Sequence, residues 1–125
     1  MVPRPPPVIL KSRARHTATL IFLHGLGDTG HGWAAAMNSI RPDFLKIVCP
    51  TAPTVPVTLN YGMHMPSWYD IFTLDKAEAN KREDLKGVLE SSEYLSQLIN
   101  GKKYILCKSS VILLSIIRQN ELGLR

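Results

Sequence analysis

The sequence is poor in cysteine and lacks a long apolar segment. Its 125 residues include two cysteines, Cys49 and Cys107, and no Asn-x-Ser/Thr acceptor site, which does not fit a disulfide-stapled secreted domain. Apolar runs such as Val111 to Leu114 are far shorter than the ~20 residues of a membrane span. Prolines and arginines stand at the N-terminus where a secretory signal needs an apolar run. These absences indicate a reducing, cytoplasmic setting.

The sequence also lacks a continuous stripe of one charge. The net charge of +5 arises from basic residues near both ends, while residues 34–100 carry a slight excess of acidic ones. A basic end leaves open transient contact with an anionic membrane surface. No aromatic residues interleave with the basic ones, and no zinc-finger or RNA-recognition pattern is present, so no nucleic-acid partner is expected.

What the sequence does have is a series of strand-like apolar runs. Residues 1–16 form a basic, proline-rich arm in which Val8 to Leu10 suits a short edge strand. Near-continuous apolar runs predict buried strands at Thr17–Leu23 and at Leu45–Cys49. Further strand-like runs follow at Tyr104–Cys107 and Val111–Ile117.

Two helices and a long loop complete the pattern. Helices are predicted over about residues 31–40 and 77–100. Their expected buried faces are Trp33, Met37 and Ile40 in the first, and Leu85, Val88, Leu89, Leu95, Leu98 and Ile99 in the second. Asp75 and Glu78 resemble a capping box at the second helix. Prolines between Thr51 and Trp68 predict an ordered loop without regular structure. The order of elements predicts an α/β fold with a mostly parallel sheet.

The turn after the first buried strand carries three glycines, Gly25, Gly27 and Gly30. Their G-x-G-x-x-G spacing fits a dinucleotide-binding loop, in which backbone N–H groups face a pyrophosphate. That interpretation needs an acidic residue at the end of the next strand to bind the ribose. The strand ends in Val48, Cys49 and Pro50, which supply none.

The same turn also suits the oxyanion loop of a serine hydrolase. A tetrahedral intermediate places negative charge on the former carbonyl oxygen, and backbone N–H groups that are fixed beforehand stabilise that charge. Gly25 and Gly27 allow a sharp turn that aims the Leu26 N–H into the site. His24 and Asp28 are expected to anchor the loop by polar contacts rather than to bind a metal. On spacing alone, a plain strand-to-helix turn stays open as well.

Four longer motifs lie in and around this turn. They read LIFLHGLGDTGHGW from Leu20, CPTAP from Cys49, PVTLN from Pro56 and MPSWYDI from Met65. This text resembles the N-terminal signature of acyl-protein thioesterases, in the lysophospholipase/carboxylesterase family. The resemblance implies an α/β-hydrolase fold, a Ser-His-Asp triad and no metal or organic cofactor. The implied reaction is hydrolysis of palmitoyl thioesters on protein cysteines, with some lysophospholipid or carboxyl-ester hydrolysis.

The resemblance also implies roles for single residues. Leu26 matches the family's first oxyanion donor, and Tyr61, Ile71 and Leu74 fall where the family lines its acyl channel. The residues expected to support the loop are His24, Gly25, Gly27, Asp28 and Trp68. The implied partners are S-palmitoylated proteins or lysophospholipids.

The sequence departs from the family pattern after residue 100. In the family, the G-x-S-x-G elbow that carries the serine would fall near residues 104–110, but no serine of this chain has flanking glycines there. The acid and the histidine of the triad come later still in the family's chain order. We expect residues 17–100 to be the N-terminal part of an α/β-hydrolase domain and residues 101–125 to be a divergent tail, a truncation or an alternative end. The chain alone is expected to be inactive. A non-catalytic module that binds an acyl chain or a partner is the alternative, and dinucleotide binding a remote one.

Overall fold

The computed structural model describes residues 3–79 and 81–100 and the backbone of 111–114. The strands of one sheet are β1 (Val8–Leu10), β2 (Ala18–Phe22), β3 (Leu45–Cys49) and β6 (Val111–Leu114), and those of a second sheet are β4 (Thr54–Val57) and β5 (Met63–Pro66). The helices are α1 (Gly30–Asn38), α2 (Lys76–Ala79) and α3 (Leu85–Asn100), with one 3-10 turn at Thr58–Asn60.

The larger sheet is mostly parallel, as the sequence predicts. Its strand order is β1-β3-β2-β6, with β2 parallel to both β3 and β6. Strand β1 pairs antiparallel with β3 at the edge, which confirms the predicted edge strand. Because parallel strands end at the same side of a sheet, the turn that follows β2 lies at the carboxyl edge beside the ends of β3 and β6.

Some predictions about the tail lie beyond what is described. The predicted strand at Tyr104–Cys107 lies outside the described residues, and of the run Val111–Ile117 only β6 is described. The division of the chain at residues 16 and 100 stays a prediction.

Helix α1 covers one face of the sheet through small residues. Ala34 is buried against Ile47 and Cys49 of β3, and Met37 packs beside them. The predicted buried face was wrong at two of its three residues. Helix α1 ends at Asn38, so Ile40 lies beyond it and is 81% exposed, and Trp33 is 38% exposed. A small residue is needed at the start of the helix, because its backbone lies directly against the end of β3.

Gly30 is the point of closest approach, and its substitution is expected to destabilise the chain. A Cβ on Gly30 would overlap the Cys49 carbonyl, with the carbonyl carbon 2.9 Å away. Backbone cannot yield as a side chain does, so Gly30→Ala should lower the free energy of unfolding by about 1–3 kcal/mol or more, as measured by urea denaturation.

Gly32 provides the matched control for this substitution. In the same helix, a Cβ on Gly32 would meet only the Asp28 carboxylate, at an ordinary 3.5 Å. Gly32→Ala should therefore stabilise the chain by up to about 1 kcal/mol, since alanine favours a helix over glycine. Equal effects of the two substitutions would contradict the close packing of Gly30 on β3.

Residues 51–68 contain a β-hairpin, so the prediction of a loop without regular structure was wrong. Strands β4 and β5 pair antiparallel, with Thr54 opposite Pro66 and Pro56 opposite His64. A sheet of two strands has only edge strands, and proline is tolerated where its missing N–H faces outward. The prolines therefore did not exclude strands here.

The predicted helix over residues 77–100 is divided into α2 and α3. Asp84 begins α3, since its carboxylate accepts the Gly87 N–H at 3.0 Å. Asp75 caps the short α2 by accepting the Ala77 N–H at 2.9 Å, while Glu78 instead pairs with Lys81 at 3.0 Å. The chain between the two helices offers few apolar side chains for burial, so nothing drives a continuous helix.

The second predicted apolar face is buried only towards its end. Leu98 is buried, and Leu95 packs against a second cluster formed by Leu23, Ala52 and Trp68. The earlier members of the face are exposed: Leu85, Val88 and Leu89. Within the described part of the chain, no helix has both the length and the apolar character that crossing a membrane requires.

Candidate active site

The glycine turn after β2 is a type II β-turn. The Asp28 N–H donates to the Gly25 carbonyl at 3.2 Å, and Gly27 at the third position has φ of +79°. Only glycine adopts this conformation without strain, and Leu26 occupies the second position. The Gly27 N–H donates at 2.9 Å to the carbonyl of Pro66, which joins the turn to β5.

The Leu26 N–H differs from the two amides that follow it in this turn. Among the described residues, none accepts a hydrogen bond from it, whereas the amides of Gly27 and Asp28 both donate within the protein. Space is open beside it, because a Cβ on Gly25 would meet no described atom within 4 Å. The Leu26 N–H is thus a backbone donor without an acceptor among the described residues, next to an accessible backbone segment.

His24 holds the entrance of the turn and is fully buried. Its Nε2 accepts the Ala52 N–H at 2.9 Å, so the ring proton is on Nδ1, which donates to the Gly25 carbonyl at 2.7 Å. With both ring nitrogens engaged, the imidazole links the end of β2 to the segment after β3. This arrangement fits an anchor and leaves no ring nitrogen for base catalysis.

Trp68 lies beneath His24. Its Nε1 donates to the His24 carbonyl at 2.9 Å, and its ring lies 5.2 Å from the imidazole and 6.4 Å from the Tyr94 ring of α3. Leu23 and Ala52 complete its buried surroundings. Trp68 thus links the segments that follow β2 and β3 to helix α3.

The start of α1 is capped by groups of the chain itself. The Asp28 carboxylate accepts the Thr29 N–H at 2.7 Å and the Trp33 Nε1–H at 2.9 Å. The Gly30 N–H donates at 2.9 Å to the hydroxyl of Thr51, an anchor that sequence reasoning missed. A carboxylate beside this helix end repels a pyrophosphate, which disfavours dinucleotide binding there.

Two other kinds of reactive group are candidates at the carboxyl edge of the sheet: a metal site and the thiol of Cys49. No group of three or more potential metal ligands occurs among the residues that the structure describes. Cys49 is a free, buried thiol at the end of β3, and burial raises its pKa to about 11. The thiol is therefore protonated and unreactive near neutral pH.

The predicted acyl-contact residues are only partly together. Ile71 and Leu74 line one small cavity of about 70 Å³ with Phe72 and Val88. Tyr61, at the tip of the hairpin, is fully exposed and lines neither this cavity nor the cavity of about 220 Å³ beside Trp68. Both volumes are below the ~300–1,000 Å³ of ordinary ligand pockets.

Comparison with known proteins decides the family. The sequence model of the phospholipase/carboxylesterase family matches residues 5–115. The chain belongs to this family. Among curated relatives, acyl-protein thioesterase 1 of Neurospora crassa is 53% identical over 102 residues, which are 77% of this chain and 42% of that protein. Acyl-protein thioesterase 1 of Schizosaccharomyces pombe is 44% identical over 108 residues, 86% of this chain and 47% of that protein.

Two solved structures agree with this assignment in fold. Acyl-protein thioesterase 2 of Zea mays matches with a TM-score of 0.75 at 26% identity, covering 86% of this chain and 44% of that one. SOBER1 of Arabidopsis thaliana matches with a TM-score of 0.63 at 28% identity, covering 82% and 50%. The predicted resemblance and the α/β-hydrolase fold, present in part, are thereby confirmed. The chain spans less than half the length of the curated relatives described above.

Proposed function

We propose that this chain supplies the oxyanion turn and part of the acyl-contact surface of a thioesterase that hydrolyses palmitoyl thioesters on protein cysteines. The observation that carries the proposal is the Leu26 N–H, which has no acceptor among the described residues, whereas the two amides that follow it in the turn both donate. Membership of the phospholipase/carboxylesterase family supports the reaction class. The names of the relatives, acyl-protein thioesterases, support the thioester substrate.

The chemistry of the turn follows from the charge that develops in the reaction. Attack on a thioester carbonyl turns its oxygen into an oxyanion, and collapse of the intermediate breaks the C–S bond and releases the cysteine thiol. A backbone N–H stabilises that oxyanion best if the protein has fixed it beforehand. The His24 and Asp28 contacts and the Gly27–Pro66 bond fix the Leu26 amide in this way.

The acyl chain of the substrate is proposed to contact three residues of this chain. Ile71 and Leu74 share a cavity wall, and we assign them with Tyr61 to contact with the acyl chain. Lysophospholipids carry the same acyl group and are the second substrate class. The protein is proposed to act in the cytoplasm, with transient contact at membrane surfaces where such substrates reside.

Deleting the Leu26 N–H in an active hybrid tests the proposed role. Residues 17–100 would replace the matching segment of the Neurospora crassa thioesterase, and the hybrid would be assayed on a palmitoyl thioester. Proline suits the second position of a type II turn, so Leu26→Pro removes the N–H while keeping the turn. We expect kcat to fall by about 10²–10³-fold, the loss seen when one oxyanion donor is removed.

Leu26→Ala is the matched control, because it shortens the side chain but retains the N–H. It should leave kcat within about tenfold of the parent hybrid, because the N–H donor is kept and the loss of a contact made equally in the ground and transition states raises KM without lowering kcat. Equal losses in the proline and alanine variants would refute an oxyanion role for this amide. A hybrid that folds and reacts with a fluorophosphonate but spares palmitoyl thioesters would refute the substrate.

A non-catalytic acyl-binding module is the competing proposal. Its own requirement is a pocket for an acyl chain, and the two cavities described above are smaller than usual ligand pockets. Titration of the 125-residue chain with a non-hydrolysable palmitoyl thioether separates the two. Saturable binding that is lost on Ile71→Asp, together with a folded hybrid that does not hydrolyse the palmitoyl thioester, would favour the binding module.

A further inference from the structure

One strand outside the oxyanion turn, β5, contacts it at Gly27. The Gly27 N–H donates to the Pro66 carbonyl at 2.9 Å. The neighbouring Met65 places its Sδ 3.8 Å from the position that a Cβ on Gly27 would occupy. The same sulfur accepts a hydrogen bond from Asn60 Nδ2 at 3.4 Å. The thioether is therefore fixed between the oxyanion turn and the 3-10 turn of the hairpin.

The contact with β5 decides between two conformations of the turn. Type I and type II turns differ by rotation of the central peptide, here between Leu26 and Gly27, and glycine at the third position permits both. Rotation of this peptide would break the Gly27–Pro66 hydrogen bond and direct the Leu26 carbonyl towards the Pro66 carbonyl. Because two carbonyl oxygens repel each other, β5 selects the type II turn as long as it stays in place.

We infer that Met65 is a positioning residue for the oxyanion turn. Its thioether holds β5 against Gly27 and so keeps the turn that carries the Leu26 N–H in its type II conformation before a substrate binds. A methionine suits this task because it is flexible enough to fill the gap beside glycine and its sulfur is a weak acceptor for Asn60. The inference rests on the proposed function of Leu26 and adds a residue that touches neither the substrate nor the reacting atoms.

Amide hydrogen exchange in the 125-residue chain tests the positioning role without any assay of activity. In Met65→Ala, protection of the Gly27 amide is expected to fall about tenfold, the contribution of one backbone hydrogen bond. Met65→Leu keeps the volume and removes the acceptor for Asn60, and the expected loss is about threefold. Protection of Ile21 in β2, which reports the core of the sheet, should stay at the parent value in both.

Met63→Ala is the matched control, since Met63 lies on the same strand but is 65% exposed. It should leave Gly27 protection unchanged. A merely structural role of Met65 would lower the protection of Gly27 and Ile21 by the same factor. That result, or unchanged Gly27 protection in both Met65 variants, would overturn the inference.

The hybrid enzyme separates failure of this inference from failure of the proposed function. If Leu26→Pro lowers kcat as expected while the Met65 variants leave Gly27 exchange unchanged, the positioning role alone is overturned. If Gly27 exchange responds to Met65 while Leu26→Pro leaves kcat unchanged, the proposed function alone is overturned. Where both hold, Met65→Leu lowers kcat in the hybrid and leaves KM unchanged, because it disturbs the turn that carries the donor and not the acyl contacts.

Discussion

The purified 125-residue chain is expected to hydrolyse palmitoyl thioesters about 10⁴–10⁶-fold more slowly than a complete serine hydrolase of this family, since that is the cost of losing triad function in related enzymes. The reason lies in its sequence, which has no G-x-S-x-G. Without that motif, the chain lacks the serine on its strained elbow and also the second oxyanion N–H, which follows the serine. The measurement is release of thiol from a palmitoyl thioester at several protein concentrations.

Labelling with a fluorophosphonate probe gives the second readout of the same expectation. The chain should remain unlabelled, while the Neurospora crassa thioesterase, run beside it, should label fully. Circular dichroism on the same sample distinguishes an inactive folded chain from an unfolded one. Stoichiometric labelling at Ser109 or Ser110, lost in the corresponding alanine variant, would show that these residues supply a nucleophile after all.

Trp68→Ala is expected to lower the free energy of unfolding by about 3–5 kcal/mol, the range for a buried aromatic truncated to alanine. Trp68 is 5% exposed, and its Nε1–H donates to the carbonyl of His24, which follows β2 and is itself buried. A domain of this size has ~5–15 kcal/mol of stability, so the loss removes a large part of it. The measurement is the urea midpoint, which should fall by about 1–3 M at an ordinary slope.

The other tryptophan is the control for this substitution. Trp33 also donates to a neighbour, Asp28, and its ring lies 4.6 Å from that of Phe22, but it is 38% exposed. Trp33→Ala should therefore lower the free energy of unfolding by only about 1–2 kcal/mol. Trp68→Phe should lie between the two, because it keeps most of the packing and leaves the His24 carbonyl without its donor. Equal losses for Trp33→Ala and Trp68→Ala would contradict the central place of Trp68.

The strands of the main sheet followed directly from the apolar pattern. The predicted Leu45–Cys49 coincides with β3, and Thr17–Leu23 contains β2. Strands that are buried on both faces carry continuous apolar runs, so their pattern is local and easily recognised. The break between α2 and α3 was missed because the apolar spacing alone does not mark where a cap interrupts a helix. Asp84 was the available signal.

The candidate site, too, was only partly predictable from the sequence. The family motifs located the turn and the residues Leu26, His24 and Trp68, but not the contacts that hold them. Thr51 and Met65 lie within the same quoted motifs and still escaped notice, because their roles depend on the residues they meet in space. A side chain 20 or more residues away along the chain, such as Thr51 beside Gly30, leaves no periodic signal near the site it supports.

By itself, the amino-acid sequence determined the class of fold, the family and the position of the glycine turn, while the structure showed that Gly27 is the glycine of this turn with a positive φ, of +79°. These properties depend on neighbouring residues, on burial patterns and on motif text. Only the tertiary structure decided that His24 carries its proton on Nδ1, that β5 supports the turn, and that Leu26 keeps an amide without an acceptor among the described residues. Hydrogen bonds between segments distant in sequence form only when the sheet brings them together, so no local pattern contains them.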